Sequence, residues 1–350
     1  MSSFELIKKL CFAFGPSGYE CEVGKVIRDE LSDTQVTLKA DRMGNLIGVM
    51  RFGDLGADDR TRIMVCAHMD EVGFMVNEVK SSGYLGFDTV GGISDSVIAG
   101  RRVRVLGKSG YISGVIASKA IHHKDKKERE KAVPVDKLYI DIGAKDADEA
   151  KIYADIGTFA VFESETYEFG DGYIKAKALD DRMGCAAMIE MIRSFAADPP
   201  SGNTDVCFCF TVREEIGLSG ARVAAYELRP DVAIVLETTA VADIADVNAS
   251  ERVAQTGEGV CVSVMDRSTV YDRSLITMAL DVASKNGIAA QLKKYVSGGN
   301  DAGSIHKTAD GVRTLALSVP TRYLHSPACV ANMRDYFAQR DLCEQLIRNF

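Results

Sequence analysis

Val206-Cys-Phe-Cys-Phe-Thr-Val-Arg-Glu-Glu215 joins an uncharged apolar run to one cation and two carboxylates. A run this short and this uniformly apolar leaves no face for water. It reads as a strand buried on both sides of a sheet. Downstream, Ser219–Tyr226 starts a helix, Val232–Leu236 is a second buried strand, and Arg273–Asn286 is a helix. Thr314–Val319 is a late strand, and Cys329–Arg348 carries a largely helical pattern. Upstream, a strand ends at Ala178-Leu179 and a helix runs from about Gly184 to Ala196. Val36–Leu38, Leu46–Met50 and Ile63–Ala67 read as strands. Strands alternating with helices predict a mostly parallel sheet sandwiched by helices, an α/β architecture.

The N-terminal residues 2–14 read as an amphipathic helix and not as a signal peptide, because Glu5, Lys8 and Lys9 interrupt the apolar residues. Gly15-Pro-Ser-Gly18 breaks it. Ser17, with Glu20 three residues on, predicts a capping box for a second helix ending near Leu31. From 73 to 165 short β-rich runs alternate with glycines, Gly83, Gly86, Gly91, Gly92, Gly100, Gly107, Gly110 and Gly114 among them. That texture predicts a small all-β barrel inserted into the α/β unit. Residues 1–72 and 166–350 then form the α/β domain, and 73–165 the insert. The mixed charge run Lys124–Lys131 reads as a solvated loop.

The chain has 350 residues, 46% hydrophobic and 26% charged, enough for a sizeable core. A net charge of −8 without a basic block argues against a nucleic-acid partner. No run of 18 apolar residues occurs, so no membrane span is expected. The nine cysteines form no Cys-x-x-Cys pair and read as free thiols. Free thiols fit a reducing compartment, and the expected location is cytoplasmic.

Two of the five histidines, His68 and His325, follow strand patterns. So do Asp180, Glu214, Glu215 and Glu237. Ligand sites of open α/β sheets lie at the carboxyl ends of strands, which brings these groups to one rim. Carboxylates gathered there repel one another, and divalent cations remove that conflict. Imidazole nitrogen with carboxylate oxygen suits zinc, cobalt or manganese. Of the neighbouring Glu214 and Glu215, one can bind metal while the other takes a proton from water. Asp70 can hold the second nitrogen of His68. Each signal alone has a plain structural reading, as a solvated pair, a helix cap or a core histidine.

Five segments carry a resemblance. Ala67-His-Met-Asp-Glu-Val-Gly-Phe74, Ala178-Leu-Asp-Asp-Arg-Met-Gly184, Val212-Arg-Glu-Glu-Ile-Gly217, Gly298-Gly-Asn-Asp-Ala-Gly303 and Pro320-Thr-Arg-Tyr-Leu-His-Ser-Pro327 resemble the M42 metallo-aminopeptidases. The resemblance runs from the Gly15–Gly18 turn to about Pro327. It implies a dinuclear-zinc peptidase fold and an enzyme that hydrolyses N-terminal residues from peptides. His68, Asp180 and Glu237 would bind one ion, and Asp180, Glu215 and His325 the other, with Asp180 bridging. Glu214 would be the general base, delivering a metal-bridging hydroxide, and Asp70 would orient His68. Two zinc, cobalt or manganese ions per subunit follow, as does a cis peptide bond at Asp180–Asp181. The insert resembles the family's dimerisation domain, so a homo-oligomer is implied, as a dimer or a tetrahedral dodecamer. The family usually has Asp where this chain has Glu237.

Three rivals remain at this point. A carboxypeptidase- or deacylase-like metallohydrolase is the nearest, favoured by Glu237. A glycoside hydrolase would use paired carboxylates but leaves His68 and His325 without a task, and the chain has no Trp for a sugar platform. A non-catalytic shell would be favoured only if ligands were missing.

Overall fold

The structure is a computed structural model, and it describes residues 1–123, 131–296 and 298–350. Its strands in chain order are β1 (Lys39–Ala40), β2 (Leu46–Arg51), β3 (Thr61–His68), β4 (Gly73–Val79), β5 (Leu85–Val90) and β6 (Arg102–Gly107). There follow β7 (Gly110–Ala117), β8 (Tyr139–Asp141), β9 (Phe159–Phe162), β10 (Tyr167–Phe169), β11 (Tyr173–Ala176) and β12 (Thr204–Thr211). The last are β13 (Val232–Ala240), β14 (Val260–Val262), β15 (Ala290–Leu292), β16 (Arg313–Arg322) and β17 (Cys329–Asn332).

The main sheet runs β1-β2-β12-β3-β13-β16-β17-β11-β10, with β14 joining β16 and β15 joining β14. The four central strands β12, β3, β13 and β16 are parallel. The flanking pairs β2–β12, β16–β17 and β11–β17 are antiparallel, so the sheet is mixed around a parallel centre.

Alternate residues of each central strand face opposite layers. Ile63, Val65, Phe208, Phe210, Ile234, Leu236 and Leu317 pack on the helices Ser3–Phe12, Cys21–Glu30, Leu179–Ala197, Arg273–Asn286 and Met333–Arg348. Met64, Cys66, Cys207, Cys209, Ala233 and Val235 face a thinner layer containing Ser219–Leu228 and Ala302–Ile305. The small residues Ala221, Ala224 and Ala225 let that helix lie close to the strands. All nine cysteines are free, as expected, and all but Cys21 are buried.

The strands β4-β5-β8-β7-β6-β9 close a barrel, all of it between Gly73 and Phe162. Phe74 sits at its centre, edge-on to Phe87 at 5.1 Å and to Phe162 at 5.0 Å. Residues 124–130 of the charge run lie outside the described residues. Among the described residues no helix is long and apolar enough to cross a membrane.

Four local expectations change. Val36–Leu38 forms no strand pairing, and β1 begins at Lys39. Its side chains lie over Gly48, where a Cβ would come within 2.8 Å of Val36 and 2.9 Å of Leu38. Cys329–Asn332 is a strand, because it closes the gap between β11 and β16. The helix that follows starts at Met333, with Asn332 capping it through the Arg334 N–H. Glu237 lies inside β13, which continues to Ala240 beside β16. Finally, Ser17 makes no capping box: the helix Cys21–Glu30 has Glu20 at its N-cap with no side-chain cap bond.

Candidate metal centre

β3 ends on His68, opposite Thr211 at the end of β12. That register sets the first imidazole beside the turn carrying Glu214 and Glu215. β13, the neighbour of β3 on the other side, contributes Glu237. Asp180 stands at the mouth of the helix Leu179–Ala197, where Asp180 and Asp181 depart from helical angles and share a cis peptide bond. His325 lies beyond the end of β16.

These residues meet. His68 Nε2 is 3.3 Å from Asp180 Oδ1 and 3.6 Å from Glu237 Oε1. His325 Nε2 is 3.3 Å from Asp180 Oδ2 and 3.2 Å from Glu215 Oε1. Ligand atoms of His68, Asp180 and Glu237 all lie within 4.8 Å of one another, as do those of Asp180, Glu215 and His325. The two oxygens of Asp180 thus face different imidazoles.

Both rings are oriented through their other nitrogen. His68 Nδ1–H donates to the Asp70 carbonyl at 3.1 Å. His325 Nδ1–H donates to the Gly92 carbonyl at 2.6 Å. Each Nε2 is therefore the atom turned toward the carboxylates, the arrangement found when imidazole binds a metal. The Asp70 carboxylate, also 3.5 Å from His68 Nδ1, accepts the Glu214 N–H at 3.0 Å and the Glu215 N–H at 3.1 Å. Ser17 Oγ donates to it at 2.5 Å.

The charges of the cluster are tightly coupled. Burial works against a charged His68, yet Glu237, Asp180 and Asp70 hold its proton on well above the usual imidazole range. Burial likewise opposes charge on His325, but bonds to Asp180 and Glu215 push it up to about 12. Burial would raise Asp180, and the two imidazoles overcome it, holding the carboxyl well below its ordinary value. Burial and the charge of Asp180 push Glu237 up to about 8. Burial also raises Glu214, with Glu237, Glu215 and Asp301 adding to it. Two nitrogens and three carboxylates, one of them shared, fit two divalent ions of the zinc type.

A cleft of about 430 Å³ opens over the cluster. Asp180, Glu214, Glu215, Glu237 and His325 line it, with Gly298, Gly299 and Asn300 from the glycine-rich loop. Ser297, the first residue of that loop, lies outside the described residues.

All the site residues expected from the sequence converge here, and others join them. Gly92 was not expected; the Gly91-Gly92 doublet was the available signal of close backbone approach. Gly91 has φ +86°, and a Cβ there would lie 3.3 Å from Glu215 Cβ. Asp181 is fully buried with Oδ1 on the Gly184 N–H and Oδ2 unpartnered, and burial holds its proton on. Lys177 Nζ reaches both Glu71 oxygens at 2.6 Å, and Arg182 Nη2 lies 3.3 Å away from one of them. Asp301 accepts from Thr211 Oγ1 at 2.7 Å.

Set beside known proteins, residues 44–342 match the family model described as M42 glutamyl aminopeptidase. The chain is 31% identical over 339 residues to the lysyl aminopeptidase of Pyrococcus furiosus, covering 96% of this chain and 94% of that protein. It superposes on the TET aminopeptidase of Thaumarchaeota archaeon SCGC AB-539-E09 with a TM-score of 0.94 at 33% identity, over 99% and 96% of the two chains. It superposes on the TET1 peptidase of Pyrococcus horikoshii with a TM-score of 0.87 at 34% identity, over 99% of each chain. That peptidase is described as able to assemble into a tetrahedron or a large octahedral shell.

Proposed function

Because this chain belongs to the M42 peptidase family and is a peptide-bond hydrolase of aminopeptidase type, we propose that it removes N-terminal residues from peptides at a dinuclear metal centre. The observation that carries this reading is Asp180 between two imidazoles, one on each carboxylate oxygen, each ring held by its Nδ1. His68, Asp180 and Glu237 would hold one ion, and Asp180, Glu215 and His325 the other. Two such ions, when bound, supply Lewis acidity and a water acidified toward neutral pH.

The chain's own residues do the rest. Glu214 lines the cleft without belonging to either triad. Its burial raises its affinity for a proton, which suits a group that takes one from water and returns it to the leaving amine. Asp70 keeps His68 turned and pins the backbone of Glu214 and Glu215. The glycine loop 298–300 gives the peptide backbone close approach.

Zinc, cobalt and manganese all suit the donor set. We assign the catalytic domain to residues 1–72 and 166–350 and the inserted barrel domain to 73–165. By likeness to the assembling Pyrococcus horikoshii relative, the chain would form homo-oligomers, with the barrel as the dimerisation module. A cytoplasmic location fits the free thiols.

The test is hydrolysis of unblocked aminoacyl-anilides and their N-acetylated counterparts by metal-stripped protein and after zinc, cobalt or manganese is restored. Metal-restored cleavage of free-amine substrates alone is expected. Cleavage of the blocked compounds would replace this reading with a deacylase- or carboxypeptidase-like one.

A further inference from the structure

The sequence pairs Ser17 with Glu20 as a helix cap, and both side chains turn elsewhere. Ser17 is 2% exposed and Glu20 7%, so neither is spent on solvent. Ser17 Oγ donates to Asp70 Oδ2. Glu20 Oε1 accepts the Gly18 N–H at 2.7 Å and, across 193 residues of sequence, the Arg213 N–H at 3.2 Å. Three successive amides, those of Arg213, Glu214 and Glu215, are thus each held by an oxygen of a buried carboxylate: Glu20 takes the first, Asp70 the other two.

The turn that delivers these groups is itself tied down. Ser17 N–H donates to the Glu71 carbonyl at 3.3 Å, and Glu71 N–H to the Gly15 carbonyl at 2.9 Å. Arg182 donates to the Leu10, Ala13 and Gly15 carbonyls. Arg213 has φ +58°, a conformation its side chain disfavours, so the loop needs outside support to hold its shape.

We propose that the Ser17–Glu20 turn is a brace that positions Glu214, with Ser17 and Glu20 as positioning residues. Ser17 acts through the Asp70 carboxylate on the Glu214–Glu215 backbone, and on His68 only by fixing the position of Asp70, whose carbonyl takes the ring N–H. Glu20 acts on the loop through Arg213 and makes no hydrogen bond to His68 or Asp70, its other bond closing its own turn at Gly18. This rests on the proposed function in taking Glu214 as the base. The brace comes from the N-terminal segment, which supplies no metal ligand and no cleft lining.

The experiment uses the full chain with Ser17→Ala, Glu20→Ala, Glu20→Gln and the Ser17→Ala/Glu20→Ala pair. Thermal melting, zinc affinity of the metal-stripped protein against a chromogenic chelator, and kcat and KM on a free-amine anilide are measured for each. Each alanine variant is expected to lose about 10- to 100-fold in kcat with KM within about twofold. Ser17→Ala is also expected to weaken zinc binding about tenfold, because Asp70 loses an anchor, whereas Glu20→Ala leaves it within about twofold. Glu20→Gln keeps the acceptor and restores most of kcat. The pair loses less than the product of the singles, since both act on one loop.

Folded alanine variants with kcat within about twofold of the parent would overturn the proposal, as would a change confined to KM. If either alanine variant unfolds, the near-isosteric Ser17→Cys and Glu20→Met carry the same expectations. A parent inactive on every free-amine substrate defeats the proposed function instead. The zinc measurement then decides the brace, and unchanged affinity in Ser17→Ala overturns it.

Discussion

Loading the proposed centre with metal should release protons, because several of its ligand groups hold theirs at neutral pH. Without ions, His68 and His325 keep their protons far above pH 7, and Glu237 keeps its own up to about 8. None of the three can ligate while protonated. These raised values mean the protons are present at neutral pH and leave as pH rises. Filling both positions at pH 7 therefore expels about three protons, one from each group. The overall binding constant for two ions should rise about a thousandfold from pH 6 to pH 7, roughly 4 kcal/mol at 1.36 kcal/mol per proton and pH unit. Titration calorimetry with zinc in two buffers of different protonation enthalpy measures the release directly. A release below about one proton, or affinity flat between pH 6 and 7, would refute the reading of these residues as ligands.

Three further outcomes are expected. Glu214→Gln should lower kcat by about 10²- to 10⁴-fold while zinc binding and KM stay near the parent values, as steady-state kinetics and chelator competition would show. Glu71→Gln should strand the buried Lys177 and Arg182 and cost about 3–5 kcal/mol in urea unfolding, with Glu71→Leu/Lys177→Met recovering part of it. Phe74→Ala should cost about 3–5 kcal/mol by emptying the barrel centre, and hydrogen exchange should place the loss in strands β4 to β9.

The central strands were legible because both faces are buried. A run such as Ile63–Ala67 or Val232–Leu236 has no polar position to confuse the period, and each was found within a few residues of its true ends. Most candidate ligands were legible as strand-end groups because they follow such runs, but their division between two ions came from the family resemblance. Short edge elements were not. Val36–Leu38 has strand composition, but its side chains are taken up covering Gly48, a contact no local pattern announces. Cys329–Asn332 hides at the head of a helical pattern, although Asn332 before Met333 was a usable cap signal. Ser17 and Glu20 were misassigned for a deeper reason. The capping box is a local rule, and their true partners, Asp70 and Arg213, are distant in sequence. Gly92 was missed likewise, since a backbone carbonyl leaves no trace in residue type.

That carbonyl makes the barrel an adjusting screw for the proposed ion site of Asp180, Glu215 and His325. It sits just past β5 and grips the ring of His325 at 2.6 Å, while its neighbour Gly91 leaves no room for a Cβ between Val72 and Glu215. One of the three side chains in that triad, His325, takes its bearing from the insert. Replacing the barrel with a relative's is therefore surgery on the metal centre, since moving the 91–92 turn until that bond exceeds about 3.5 Å sets the ring loose. If the proposed centre holds two ions, sequence variation around residues 85–95 should retune the affinity of the His325 position while every ligand residue stays in place.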